Sequence, residues 1–99
     1  MRSSRDDQAR EWAQTLAIEA LGFLAADMER LEPFLSLTGI DIGNLRHVAA
    51  QPSFLVAVLD HLAGDESLLL AFAANGGHNP ADVERARQTL AGPMPDWGA

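Results

Sequence analysis

The stretch that decides the fold is residues 51–80, which read QPSFLVAVLDHLAGDESLLLAFAANGGHNP. Two apolar segments lie here between helix-boundary signals. Pro52 suits a first helical turn, because its φ is already helical and its missing N–H has no partner to lose there. Gly64-Asp65 and Gly76-Gly77 each end a helix, because glycine reaches the left-handed conformation cheaply, and aspartate can then cap the next helix. We therefore predict helices over residues 52–63 and 66–75.

Further boundary signals lie on both sides of this stretch. Asp27, Gly39 with Asp41, and Asn79-Pro80 separate segments rich in alanine and leucine. A long first helix should begin near residue 6 and end near residue 26, and a last helix should begin at residue 80. Pro33 lacks the N–H that a continuing helix needs, so we expect a kink or break near Glu32, with a short helix started by the proline. The sequence thus predicts an all-α, compact single-domain bundle of five or six short helices with a long first helix.

The apolar periodicity also predicts which side chains are buried. Helix 66–75 has almost no polar face, which is typical of a helix at the centre of a bundle. The segment after Asp41 should place Ile42, Leu45 and Val48 inward. The core should contain the inward stripes of the three most apolar helices, namely Trp12, Leu16, Leu21, Phe23, Leu55, Leu59, Leu69 and Phe72.

Composition limits the classes of function. The chain has 99 residues, which fits one domain with an ordered core over residues 6–91 and a flexible tail over residues 93–99. Fourteen acids oppose seven arginines, there is no lysine, and the net charge of −7 opposes binding to nucleic acid or anionic lipid. No cysteine is present, which excludes disulfides and thiolate chemistry. Because no apolar run reaches the roughly 18 residues of a membrane helix and no apolar signal core is seen, we expect a cytoplasmic protein.

One pattern resembles a DNA-binding helix-turn-helix. A small residue, Ala73, is followed four positions later by Gly77 and six positions after that by Val83. In that interpretation the last helix would enter the major groove, and Arg85 and Arg87 would contact phosphates or guanine edges. The acids on the same helix and the net charge oppose it, so nucleic-acid binding is the alternative hypothesis.

The sequence predicts no catalytic, cofactor or metal site. His47, His61 and His78 lie in different segments and lack the companions that a zinc or iron site requires. Glu29 and Glu32 could act as an acid and base pair, but solvated surface carboxylates are the ordinary explanation. There is no glycine-rich phosphate loop and no nucleophile elbow. We therefore expect a protein that is not an enzyme.

The first helix predicts a binding surface. Its apolar arc is wider than one packing contact requires, and Ile18 and Ala25 lie away from the stripe of Trp12, Leu16 and Phe23. Either a second layer of the bundle covers these two residues or another chain does, as another protein or as a second copy in a homo-oligomer. Ile18 and Ala25 are therefore the candidate partner-binding residues.

Several segments taken together resemble a known family. The segments are ALGFLAAD at 20–27, FLSLTG at 34–39, PSFLVAVLD at 52–60 and LLLAFA at 68–73. Over about residues 9–90 the chain resembles the small alphaproteobacterial family called domain of unknown function 3572. The resemblance implies a helical, cytoplasmic bacterial protein and transfers no active site. Members are often encoded near a single-domain response regulator, which is compatible with a signalling adaptor. Because the sequence patterns here specify core and helix caps and not a reaction site, our leading hypothesis is a noncatalytic protein-interaction module that acts as an adaptor or regulator.

Overall fold

The computed structural model describes residues 4–49 and 51–91, which form six α-helices and one short 3₁₀ helix. Their bounds are α1 Ser4–Ala25, α2 Met28–Thr38, the 3₁₀ helix Ile42–Asn44, α3 Leu45–Val48, α4 Pro52–Ala63, α5 Glu66–Gly76 and α6 Pro80–Ala91. The predicted all-α bundle with a long first helix is confirmed. The tail predicted over residues 93–99 lies outside the described residues. None of the described helices is long and apolar enough to cross a bilayer.

Most of the helices begin and end where the sequence signals predict, although Asp41, which precedes the 3₁₀ helix, makes no capping hydrogen bond through its side chain. Asp27, Asp65 and Asn79 each accept a hydrogen bond from a backbone N–H two or three positions further on, at 2.9, 3.2 and 3.0 Å. Gly39 and Gly77 follow α2 and α5 in the left-handed conformation, with φ of 72° and 71°. These contacts satisfy N–H groups that have no partner within the helix. Local chemistry therefore fixes the boundaries of α2, α5 and α6.

The core lies between α1, α4 and α6, which pack on one another. Helix α2 packs against α1 and α4, and α5 packs against α4 and α6. Of the eight residues predicted to share the core, five are buried there, which confirms that part of the prediction. These five are Leu16, Phe23, Leu55, Leu59 and Phe72.

Three members of the predicted core lie elsewhere. Trp12 is 36% exposed, and the Arg85 guanidinium lies over its ring at 5.6 Å, so its assignment to the core was wrong. The neighbouring Ala13 faces the core instead, because the buried side of α1 is centred between the predicted stripe and the adjoining residues Ala17 and Leu24, which are also buried. Leu21 and Leu69 are half-buried and pack against the edge of the core.

Helix α5 is peripheral, which corrects the prediction that it lies at the centre. Only Phe72 and Ala73 are buried in it, and Leu70 is 49% exposed. The connection through Gly64 and Asp65 is so short that α5 follows α4 directly and packs on the bundle from one side. The uniformly apolar composition of α5 therefore predicted the wrong position for this helix.

Two other expectations were also wrong. Helix α2 runs continuously from Met28 to Thr38 with Pro33 inside it. The carbonyl that Pro33 leaves without a partner is that of Glu29, and both residues are exposed, so water can solvate that carbonyl. Ile42, expected to face inward, is 55% exposed, whereas Leu45 and Val48 pack against the core.

Candidate functional site

Helix α1 carries a second row of apolar residues, which runs from the edge of the core at Leu21 to the exposed side of the helix at Ile18. Ile18, Leu21, Gly22 and Ala25 follow the spacing i, i+3, i+4, i+7, which places them on one side of a helix. Ile18 is 53% exposed and Ala25 is exposed, while Leu21 is half-buried. We call these four residues the outer face of α1. No described part of the bundle covers Ile18, so this candidate residue lies at the surface.

Acidic side chains border the outer face of α1. Glu11 is exposed and precedes Ile18 by seven positions, about two helical turns along the same side. Glu19 is half-exposed beside it. The protein as a whole has a net charge of −7. The surface around Ile18 is therefore an apolar patch in a negative environment.

Arg87, one of the two candidate DNA contacts, is held by acids. Its Nη2 lies 2.6 Å from Glu84 Oε2, and its Nε lies 3.3 Å from Asp60 Oδ1 on α4. The hydrogen bond from Arg87 lowers the pKa of Glu84, against the smaller effect of burial. The same hydrogen bond raises the pKa of Arg87, so the guanidinium stays charged and paired. Arg87 thus connects α6 to α4.

Arg85, the other candidate, is more accessible. Its side chain is 68% exposed, with Nη2 3.9 Å from Asp82 Oδ1 and the guanidinium over the Trp12 ring. In the helix-turn-helix pattern itself, Ala73 and Val83 are buried and Gly77 is the left-handed residue after α5. Packing of α5 against α6 accounts for this spacing. The structure does not bring the two arginines together as one positive surface, because Arg87 is paired.

A groove of about 400 Å³ lies between α1, the start of α2 and the end of α5. Its floor contains the rings of Phe23 and Phe72, which meet edge to face with centroids 5.5 Å apart. Such edge-to-face contacts are a favoured arrangement of aromatic rings. The remaining lining residues are Glu19, Gly22, Ala26, Arg30, Asn75 and Gly76.

One rim of the groove is a carboxylate and imidazole pair. His78 Nε2 lies 2.8 Å from Glu19 Oε1, and the imidazole stacks on Phe72 with centroids 5.3 Å apart and 23° between planes. The His78 ring folds over the α5 backbone at Gly76, where a Cβ would lie only 2.7 Å from its Cδ2. Glycine at this position therefore allows the imidazole to reach α1.

The other rim is formed by Arg30 of α2. Its guanidinium carbon lies 4.1 Å from the centroid of the Phe23 ring, and Nη1 donates a 3.2 Å hydrogen bond to the Phe23 carbonyl. That carbonyl is among the last four of α1, and the last four carbonyls of a helix receive no hydrogen bond from an N–H of the same helix. Arg30 forms no ion pair with a carboxylate among the side chains that the structure describes, those of residues 7–49 and 51–91. The guanidinium lines the groove and is held by one hydrogen bond and one ring contact, and a guanidinium has further N–H donors.

The histidines do not form a metal site in the described part of the chain. No group of three His, Asp or Glu side chains there is arranged to hold a metal ion. His47 is exposed, His61 packs edge to face on Phe34 at 5.3 Å, and His78 pairs with Glu19. Each histidine therefore has a separate environment.

Sequence reasoning missed the groove. Glu19 and His78 are 59 positions apart, and Arg30 belongs to a third segment. Each taken alone looks like an ordinary surface residue, since no short motif links them. Only the packing of α5 beside α1 brings them together.

Fold and surface define a small, acidic, all-α bundle protein with an apolar outer face on its first helix. Comparison with protein families identifies it further. Residues 10–93 match the family described as protein of unknown function, DUF3572. The chain belongs to this family, which confirms the resemblance seen in the sequence. Neither the curated proteins nor the solved structures give a significant match.

Proposed function

We propose that this protein is a noncatalytic interaction module that binds a partner protein through the outer face of α1. The observation that supports this is the exposure of Ile18 on a helix whose opposite side already supplies the core. Full burial of an exposed isoleucine contributes roughly 1.5–3 kcal/mol, and because Ile18 is 53% exposed, about half of that is available to a partner that covers it.

The surroundings of Ile18 favour a basic partner. Glu11 and Glu19 border the outer face of α1, and the net charge of −7 attracts positive segments. Gly22 and Ala25 have little or no side chain, so another helix can approach α1 closely there. We infer that the occupant is an amphipathic helix of another protein, with an apolar stripe flanked by lysine or arginine.

A role as an adaptor or regulator in the bacterial cytoplasm belongs to the same proposal. It rests on the family resemblance described above and on the proposal that the protein acts through a binding surface and not through a reaction site. A protein that acts by binding needs no more chemistry than a shaped surface. The molecule to be identified is therefore a partner protein and not a substrate.

Photo-crosslinking inside the cell tests this directly. A benzoylphenylalanine is placed at Ile18 in one variant and at Ser36, exposed on α2, in a control variant. We expect a defined heterologous adduct from position 18 that is weak or absent from position 36. Equal adducts from both positions would contradict the assignment of the surface. A product of two copies of this chain would make a homodimer the occupant and contradict the basic-partner proposal.

A further inference from the structure

Arg30 is arranged as an anion-binding group. A guanidinium has five N–H donors in a fixed plane, and one of them is used by the Phe23 carbonyl. The guanidinium carbon of Arg30 lies 4.1 Å from the centroid of the Phe23 ring, which restricts the side chain. Because the side chain is already restricted, it loses little conformational freedom when an anion binds. Arg85 and Arg87, by contrast, have carboxylates within 4 Å. The hydrogen bond to the end of α1 uses one N–H group of Arg30, and its other N–H groups can bind an anion.

The opposite rim of the groove carries negative charge. His78 contacts Oε1 of Glu19, and the Glu19 side chain is 49% exposed. A carboxylate held in this way by one oxygen can accept hydrogen bonds from a further donor. The groove therefore has a cation at one rim and a carboxylate at the other.

The base of the groove is apolar, and its mouth is open. Phe23 and Phe72 are only 8% and 2% exposed, so the apolar surface that a ligand can reach comes mainly from Gly22 and Ala26. A volume of about 400 Å³ lies near the lower end of the roughly 300–1,000 Å³ of small-molecule sites. It fits a small metabolite better than a dinucleotide.

We propose that this groove binds a small zwitterion of the α-amino-acid class with an apolar side chain. Arg30 takes the carboxylate, Glu19 takes the ammonium group, and the side chain lies over Gly22 and Ala26. No covalent step is involved. The groove adjoins the outer face of α1, since Gly22 belongs to both and Glu19 borders that face, but Ile18 does not line the groove and Arg30 is not part of the outer face. Variants of Ile18 and of Arg30 therefore test the two proposals independently.

Titration of the full chain followed by backbone amide NMR tests the proposal. The probes are L-phenylalanine and L-leucine, with phenylpropionate as the probe that lacks ammonium and phenylethylamine as the probe that lacks carboxylate. We expect saturable shifts at the amides of Glu19, Gly22 and Gly76 with the amino acids at millimolar concentration. We also expect at least tenfold weaker binding of either truncated probe, as the loss of a charge-assisted hydrogen bond implies.

Three variants, each checked for an unchanged melting temperature, complete the test. Arg30→Gln and Glu19→Gln should each weaken amino-acid binding at least tenfold, since a charged contact is removed. Arg46→Gln, which changes an exposed arginine outside the groove, should leave it unchanged. If Arg30→Gln unfolds, Glu19→Gln decides alone. Absence of saturable shifts, equal binding of phenylpropionate, or unchanged affinity in the folded groove variants overturns the proposal.

Discussion

His78 Nε2 lies 2.8 Å from Glu19 Oε1, so the turn between α5 and α6 is bound to the middle of α1. The same imidazole stacks on Phe72, whose ring contacts Phe23. Together these contacts hold the end of the peripheral helix α5 against α1. They also form one wall of the groove.

This relationship predicts opposite effects of alanine at two helical glycines. Gly22→Ala should stabilise the protein by about 0.5–1 kcal/mol, because its Cβ meets nothing within 4 Å and alanine favours helix. Gly76→Ala should give no gain or a loss, because its Cβ would displace the His78 ring. Urea denaturation of both variants checks this. Equal gains would show that His78 moves aside without loss.

Phe72 should make a large contribution to stability although α5 is peripheral. It is 2% exposed and packs on Phe23 and His78. Phe72→Ala should lower the free energy of unfolding by about 3–5 kcal/mol, because it leaves a cavity. Leu70→Ala, on the exposed side of the same helix, is the control and should lower it by less than about 1 kcal/mol. A loss below about 1 kcal/mol for Phe72→Ala would contradict this packing.

The pair of Arg87 and Glu84 predicts a dependence of stability on pH. Since Arg87 holds the folded-state pKa of Glu84 below its ordinary 4.5, the pair stabilises the fold above about pH 4.5. That contribution is lost as the pH falls through the lowered pKa. Stability should therefore fall less steeply with acid in Glu84→Gln than in the wild type, while Glu11→Gln should behave as wild type. Urea midpoints measured at low protein concentration, because the isoelectric point is near 4.6, test this.

We expect no binding to duplex DNA at physiological salt. The net charge is −7, and Arg87 is already paired with Glu84 and Asp60. Both features oppose the release of counterions that drives nucleic-acid binding. An electrophoretic shift of random duplex DNA that weakens in Arg85→Ala or Arg87→Ala would instead support the helix-turn-helix alternative.

Local signals predicted the helix boundaries but not the arrangement of the helices. The caps at Asp27 and Asp65 need only neighbouring backbone, so they can be predicted from sequence. The position of Trp12 depends on which side of α1 the other helices cover, which its own segment does not determine. The groove depends on the contact of His78 with Glu19 and on the contact of Arg30 with Phe23, which join three segments, so no periodicity indicates it.

Replacing Ile18 with a charged residue tests the proposed function most directly. Affinity capture from the native cell uses wild type, Ile18→Glu and Gln8→Glu as baits, the last adding the same charge ten residues away on α1, about 15 Å along the helix. Because Ile18 is exposed, all three should melt at similar temperatures. We predict that wild type and Gln8→Glu recover the same partner protein and that Ile18→Glu does not. Equal recovery by a folded Ile18→Glu, or no partner with wild type, would contradict a binding function at this surface.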